Sequence, residues 1–149
     1  MLFRKNKGKL FIDNYIRKIT DLINIDINSI KFEGVEESER IRYLFYDKNK
    51  TYQKCGSSNL INSENVTKEI LITIKENAQN NCYVFIDRDW EYCGCFLLED
   101  IKLLKENFIF GNSITDDIYL IDNEYKHIYH LDYYEEKDSC YIDFMHEYV

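Results

Sequence analysis

The chain has no proline, a single alanine and a single tryptophan among its 149 residues, and only five glycines. Without proline, collagen-like and proline-rich extended segments are excluded, and one common marker of domain boundaries is missing. Apolar runs are short, as in Tyr83-Val84-Phe85-Ile86, far below the roughly 18 residues that a membrane span requires. The basic start, Met1-Leu2-Phe3-Arg4-Lys5-Asn6-Lys7, has no apolar stretch behind it, so no secretory signal is read there. There is no glycine-rich phosphate loop. The cysteines number five (Cys55, Cys82, Cys93, Cys95, Cys140), an odd count that argues against a disulfide framework and for reduced thiols. These absences leave one domain, residues 1–149, with a cytoplasmic location expected.

Twenty isoleucines, 14 asparagines, 14 lysines and 13 tyrosines give the composition of an A/T-rich gene. Charge is more informative. Residues 1–115 hold equal numbers of acids and bases, so the net −8 lies entirely in residues 116–149. That segment carries Asp116, Asp117, Asp122, Glu124, Asp132, Glu135, Glu136, Asp138, Asp143 and Glu147 against Lys126 and Lys137. It also holds seven tyrosines, among them the adjacent Tyr133 and Tyr134. An acidic surface favours a cationic partner and disfavours nucleic acid, and tyrosine suits interfaces because its ring packs while its hydroxyl stays wet. The expected partner-binding residues are Asp116, Asp117, Asp122, Glu124, Asp132, Tyr133, Tyr134, Glu135, Glu136 and Asp138. The plainer alternative is a solvated acidic edge that aids solubility.

Periodicity supplies the elements. Phe11, Ile12, Tyr15, Ile16, Ile19, Leu22 and Ile23 form a helical stripe over 10–24, with Arg17, Lys18 and Asp21 on the opposite side. Ser29–Val35 and Arg40–Asp47 read as strands joined by Gly34–Ser38, and Cys55–Asn59 as a loop. A second helix is expected over 63–79 behind Ser63 as N-cap, then a buried strand Cys82–Asp87. Gly94 marks a bend or an edge strand, and a third helix is expected over 97–107. The last third alternates with period two, predicting a meander of Asp117–Asp122, Lys126–Asp132 and Ser139–Met145. The fold class is therefore α+β, with about three helices on a largely antiparallel sheet.

The chemistry-bearing motifs are sparse. Asp87 and Asp89 flank Arg88 behind a buried strand, the arrangement of a metal-binding carboxylate pair in a small hydrolase or transferase. A strand-end loop with Arg88 paired to a carboxylate explains the same residues more simply. His127 and His130 sit three apart, which in a strand sends the rings to opposite faces. Cys93-Gly94-Cys95 is spaced more tightly than structural zinc pairs. No metal, cofactor or catalytic residue is assigned.

The run Tyr83-Val84-Phe85-Ile86-Asp87-Arg88-Asp89-Trp90-Glu91 leads on to Leu97-Leu98-Glu99-Asp100-Ile101. Asp116-Asp117-Ile118-Tyr119-Leu120-Ile121-Asp122 and Tyr125-Lys126-His127-Ile128 follow. With these segments the C-terminal half resembles the small acidic immunity proteins of bacterial polymorphic-toxin and contact-dependent growth-inhibition systems. The resemblance implies a cytoplasmic α+β domain that binds and neutralises a cognate toxin C-terminal domain and needs no catalytic group of its own. A cytoplasmic protein-binding adaptor is the remaining alternative.

Overall fold

The computed structural model describes residues 2–60, 65–78, 81–106 and 116–149. Helices α1 (Leu2–Leu22), α2 (Val35–Lys48), α3 (Asn65–Asn77) and the short α4 (Trp90–Cys93) accompany six strands. The strands are β1 (Gln53–Leu60), β2 (Cys82–Ile86), β3 (Phe96–Leu98), β4 (Asp117–Asp122), β5 (His127–Glu136) and β6 (Ser139–Tyr148). They form one sheet in the order β1-β6-β5-β4-β2-β3, with every neighbouring pair antiparallel. The fold is α+β, and β4, β5 and β6 are the expected meander. Among the described residues no helix is long and apolar enough to cross a membrane.

Side chains alternate across a strand, so this sheet has two faces to cover. One carries Cys82, Val84, Ile86, Ile118, Leu120, Tyr129, Leu131 and Ile142, packed with Tyr15, Ile19 and Leu22 of α1 and Ile70, Leu71 and Ile74 of α3. The other carries Phe85, Ile121 and Ile128, packed with Ile41 and Phe45 of α2 and with Trp90. Burying the fully enclosed Phe45 ring stabilises the fold by roughly 2–3 kcal/mol. A single 14-residue helix serves the second face. It covers the end of the sheet near Phe85, Ile121 and Ile128; among the described residues no helix packs on the far halves of β5 and β6 on that side.

Four segments differ from the sequence-based expectation. Arg40–Asp47 is helical, within α2, because Ser38, Ile41 and Phe45 recur at three- and four-residue spacing and all three are buried. The alternating pattern would have buried Tyr43, which is 57% exposed. Glu36 and Glu37 in the first turn and Lys48 in the last also suit the helix dipole. Ser29–Val35 forms no strand; a 3-10 turn (Ile27–Ser29) leads to an isolated bridge between Phe32 and Phe96. The third helix over 97–107 is replaced by β3 and a 3-10 turn, Ile101–Leu103, which Asp100 starts by accepting from the Lys102 amide at 3.0 Å. Cys55–Asn59 is not a loop but the middle of β1, an edge strand whose outward polar residues hide the usual alternation. Helix α3 matches the expectation, although its expected cap Ser63 lies outside the described residues, as do Asn80 and Gly111–Ser113. The β5–β6 turn is tighter than expected. Lys137 and Asp138 alone make it, both at positive φ, so the strands run on to Glu136 and from Ser139.

A knot of hydrogen bonds at Gly94 ties α1, α2 and α4 to the sheet edge. Tyr15 donates to the Gly94 carbonyl at 2.8 Å, and the Cys95 amide donates to Ser38 Oγ at 2.9 Å. Ser38 Oγ in turn donates to the Gly34 carbonyl at 2.8 Å. Gly94 has φ +88°, and a Cβ there would stand 2.0 Å from the Glu33 carbonyl oxygen. Gly94→Ala is therefore expected to destabilise the protein by at least about 2 kcal/mol in urea unfolding, through backbone strain and a clash that no side-chain rotation relieves.

Candidate functional site

The strand register orders the far part of the α2 face into rungs. Between β5 and β6, Ile128 faces Glu147, His130 faces Met145, Asp132 faces Asp143 and Tyr134 faces Tyr141. Asp117 of β4 faces Asp132 from the other side, and Ser58 of β1 faces Asp143. Three aspartates, Asp117, Asp132 and Asp143, thus stand directly opposite one another on three adjacent strands. Like charges so placed are destabilising. Asp117 is bonded to His130 Nε2. Among the described residues no lysine or arginine forms an ion pair with Asp132 or Asp143. Burial, and then the charge of Asp117, raises the Asp132 carboxyl above the usual range. Next to this acidic rung the Tyr134 and Tyr141 rings stack at 5.4 Å, and the Tyr134 hydroxyl donates to Asp143 at 3.3 Å.

On the α2 side of the rung, aromatic groups are layered. The Arg42 guanidinium lies 3.7 Å from the Tyr119 ring centre, and the opposite side of that ring stacks on His130 at 3.8 Å, within 4° of parallel. The alternation of β5 separates the residues expected to act together. Tyr134, Asp132 and the exposed Glu136 share the open face, whereas Tyr133 and Glu135 point to the α1–α3 side. There Tyr133 packs against the main core and donates to Cys140 Sγ at 3.1 Å. Asp116 and Asp138 are exposed, and Glu124 is exposed and pairs with Lys126. Asp122 is only 2% exposed; its Oδ1 accepts from the amides of Lys126 and His127, so it holds the β4–β5 turn and presents no charge to a partner. The charge arithmetic singled out neither Asp143 and Tyr141 nor the flanking Met145 and Glu147, because only the register brings them to this face.

Comparison with protein-family models, with curated proteins and with solved structures finds no match. The site must be read from its own geometry.

The Asp87–Asp89 pair is differently occupied. Lys18, placed on the solvent side of α1 by its charge, is 8% exposed and lies on the buried stripe with Tyr15, Ile19 and Leu22. Its ammonium stands 2.6 Å from Asp87 Oδ2 and 3.2 Å from Asp89 Oδ2, in the place that a cation shared by both carboxylates would take. Asp87 Oδ1 accepts from the amides of Asp116 and Asp117, each at 2.9 Å. Although burial alone would lower it, the Lys18 pKa is raised by the hydrogen bond to Asp87 and the charges of Asp87 and Asp89. Arg88 is exposed and pairs with Glu91 at 3.1 Å. Burial pushes the thiols of Cys82 and Cys95 up to about 12 and that of Cys93 to about 11, so they stay protonated at neutral pH and are poor nucleophiles. Lys18→Met leaves two partly buried carboxylates without their cation and is expected to cost about 3–5 kcal/mol, while Arg88→Ala costs under about 1 kcal/mol. Urea unfolding of the two variants checks both values.

His127 and His130 fall on opposite faces of β5, as strand geometry requires. His127 instead meets His146 of β6, Nδ1 to Nε2 at 2.9 Å, beside the buried Tyr129 ring. Burial, and then the charge of His127, holds His146 below the usual histidine range. The unfolded chain therefore protonates at His146 before the folded one does. The stability from this pair is full above about pH 6.5 and is lost as pH falls through the folded value. Urea midpoints between about pH 7.5 and 5.5 are expected to fall in the wild type and to fall less in His146→Gln.

Proposed function

We propose that this protein is an immunity-type inhibitor: a cytoplasmic binding module that docks on a cationic, nuclease-like toxin domain and occludes its active site. The observation that supports the reading is the row Asp117–Asp132–Asp143 beside the stacked Tyr134 and Tyr141, on a sheet face that α2 leaves open. A fold that needed only solubility would gain nothing from setting like charges opposite one another on adjacent strands. A toxin that grips phosphate must display lysine and arginine, and an aligned acidic rung complements that field, speeds encounter and relieves its own repulsion on binding. The paired tyrosines supply rigid contact area next to the charge. Such an inhibitor needs no catalytic group. The hydrolase reading at Asp87 and Asp89 is weaker, because the Lys18 ammonium already stands between the two carboxylates.

The test is co-expression with the toxin C-terminal domain that the reading expects to be encoded upstream, scored for rescue of growth and for co-purification. Asp132→Lys with Asp143→Lys is expected to slow association at least about tenfold and to flatten its salt dependence. Reversing Glu69 and Glu76, exposed on α3 beyond the other face, is expected to leave both unchanged. Tyr134→Ala is expected to act on dissociation and to cost on the order of 2 kcal/mol. The neutralised variant Asp132→Asn separates function from fold: it is expected to stabilise the free protein by a few tenths of a kcal/mol while weakening the complex. Rescue that survives the double reversal intact would exclude this face.

A further inference from the structure

The two edges of the sheet are treated differently. At one edge β3 has three residues; Phe32 bridges to Phe96 there, and the Glu33 amide donates to the Cys95 carbonyl at 2.8 Å. At the other, β1 pairs eight consecutive residues with β6 without a bulge, and residues 53–58 are all exposed. Edge strands are normally guarded by proline, bulges or charge. β1 has no proline, and its one charged residue, Lys54, is drawn back to Glu147 at 3.4 Å and to the Tyr52 ring at 5.4 Å. The phase of the ladder shows which groups β1 leaves unused. Just past β6, Val149 donates to the Lys126 carbonyl, so odd residues of β6 exchange hydrogen bonds with β5 and even ones with β1. The even residues Tyr148, His146 and Phe144 face Gln53, Cys55 and Ser57. The amides and carbonyls of Lys54, Gly56 and Ser58 therefore point away from the sheet, and none has a backbone partner among the described residues.

We propose that β1 pairs antiparallel with β1 of a second copy about Gly56, joining two sheets edge to edge. Outward groups must meet outward groups, so Gly56 faces Gly56, and Lys54 faces Ser58 of the other copy. The strand is self-complementary in this register. No like charges face each other, and Lys54 enters the row that Ser58 shares with Asp143 of the other copy, so the one charge on the edge meets acid. Gly56 supplies the fit at the dyad. Met145 lies opposite it and reaches over it: a Cβ on Gly56 would stand 2.8 Å from Met145 Cε. Strands about 5 Å apart bring the two half-exposed Met145 side chains together over the paired glycines. Such an isologous contact consumes the open edge, and the guarded β3 edge offers no second one, so assembly stops at two copies. Paired side chains share a face, so both acidic rungs lie on the same side of the joined sheet. The proposal goes beyond the inhibitor reading and does not rest on it.

Sedimentation equilibrium of the full chain under reducing conditions, paired with residue-resolved amide exchange, tests it. The mass is expected to rise with concentration from 18.1 kDa toward twice that value, with a dissociation constant of roughly 10–100 µM for so small an interface. Over the same range the amides of Lys54, Gly56 and Ser58 are expected to slow about threefold or more, while those of Gln53, Cys55 and Ser57, already in the ladder, serve as the control. Ser58→Pro removes only an outward amide, so it keeps the β1–β6 ladder and is expected to stay at the mass of one chain. A wild type that keeps the mass of one chain up to about 300 µM would overturn the proposal. So would a dimer whose three outward amides exchange as freely as in the monomer, since it would use another surface, or a folded Ser58→Pro that dimerises like the wild type. Protection of these amides only after a different protein is added would assign the edge to that protein and likewise overturn pairing between copies. The exchange comparison uses the wild type and decides even where Ser58→Pro does not fold.

Discussion

Asp87 accepts from the Lys18 ammonium with one oxygen and from the amides of Asp116 and Asp117 with the other, and the placement of the meander depends on it. The residue leaves β2 at φ +48°, turning the chain so that its carboxylate faces both α1 and the start of β4. Its own amide donates to the Asp117 carbonyl at 2.7 Å. With the first residue of β4 held this way, antiparallel pairing carries the register across the sheet. Asp117 must face Asp132, and Asp132 must face Asp143. An internal ion cluster thereby sets the position of a surface charge pattern. Replacing buried ion pairs with apolar residues is often neutral or stabilising. Here the ions also specify where a strand begins.

The consequence is a sheet with unequal coverage. Two long helices close the α1–α3 face, while α2 closes only one end of the other. On the open end, aspartates face one another and tyrosines stack, a locally unfavourable arrangement that a binding surface tolerates and a purely structural surface has no reason to retain. The acidic rung is half-buried and the Glu147 carboxylate at the inner end is buried, so charge on this face runs from the water's edge into the protein interior. In an interface, charge near water governs encounter, and desolvated contacts govern residence.

The meander was legible from its period-two alternation, and the buried strand before it from a short, continuous apolar run. Helix α2 was not legible. Ile41, Tyr43 and Phe45 alternate like a strand, and the burial of Ser38 together with the exposure of Tyr43 decides for the helix. Strand β1 failed for the opposite reason: an edge strand with polar residues offers no alternation to read. The charge arithmetic found the acidic third but not the residues that meet on the α2 face. It included Asp122, which is buried as a turn acceptor, and Tyr133, which belongs to the opposite face. It passed over Asp143, Tyr141 and Glu147, whose proximity to Asp132 and Tyr134 exists only after β5 and β6 pair. Lys18 was misplaced because a charge on an amphipathic helix normally faces water, and nothing local announces two carboxylates 69 and 71 residues away.

The central claim is that the end of the sheet left uncovered by α2 is the surface that meets the partner. Oxidative side-chain footprinting of the protein alone and in the proposed complex with a toxin domain tests it most directly. Tyr134, Tyr141 and Met145 are the oxidisable groups of that face, while Phe11 and Tyr92 report on a separate contact between α1 and α4. The account predicts that Tyr134, Tyr141 and Met145 become protected on binding while Phe11 and Tyr92 react as before. Protection of Phe11 and Tyr92 with the three groups on β5 and β6 unchanged would contradict it.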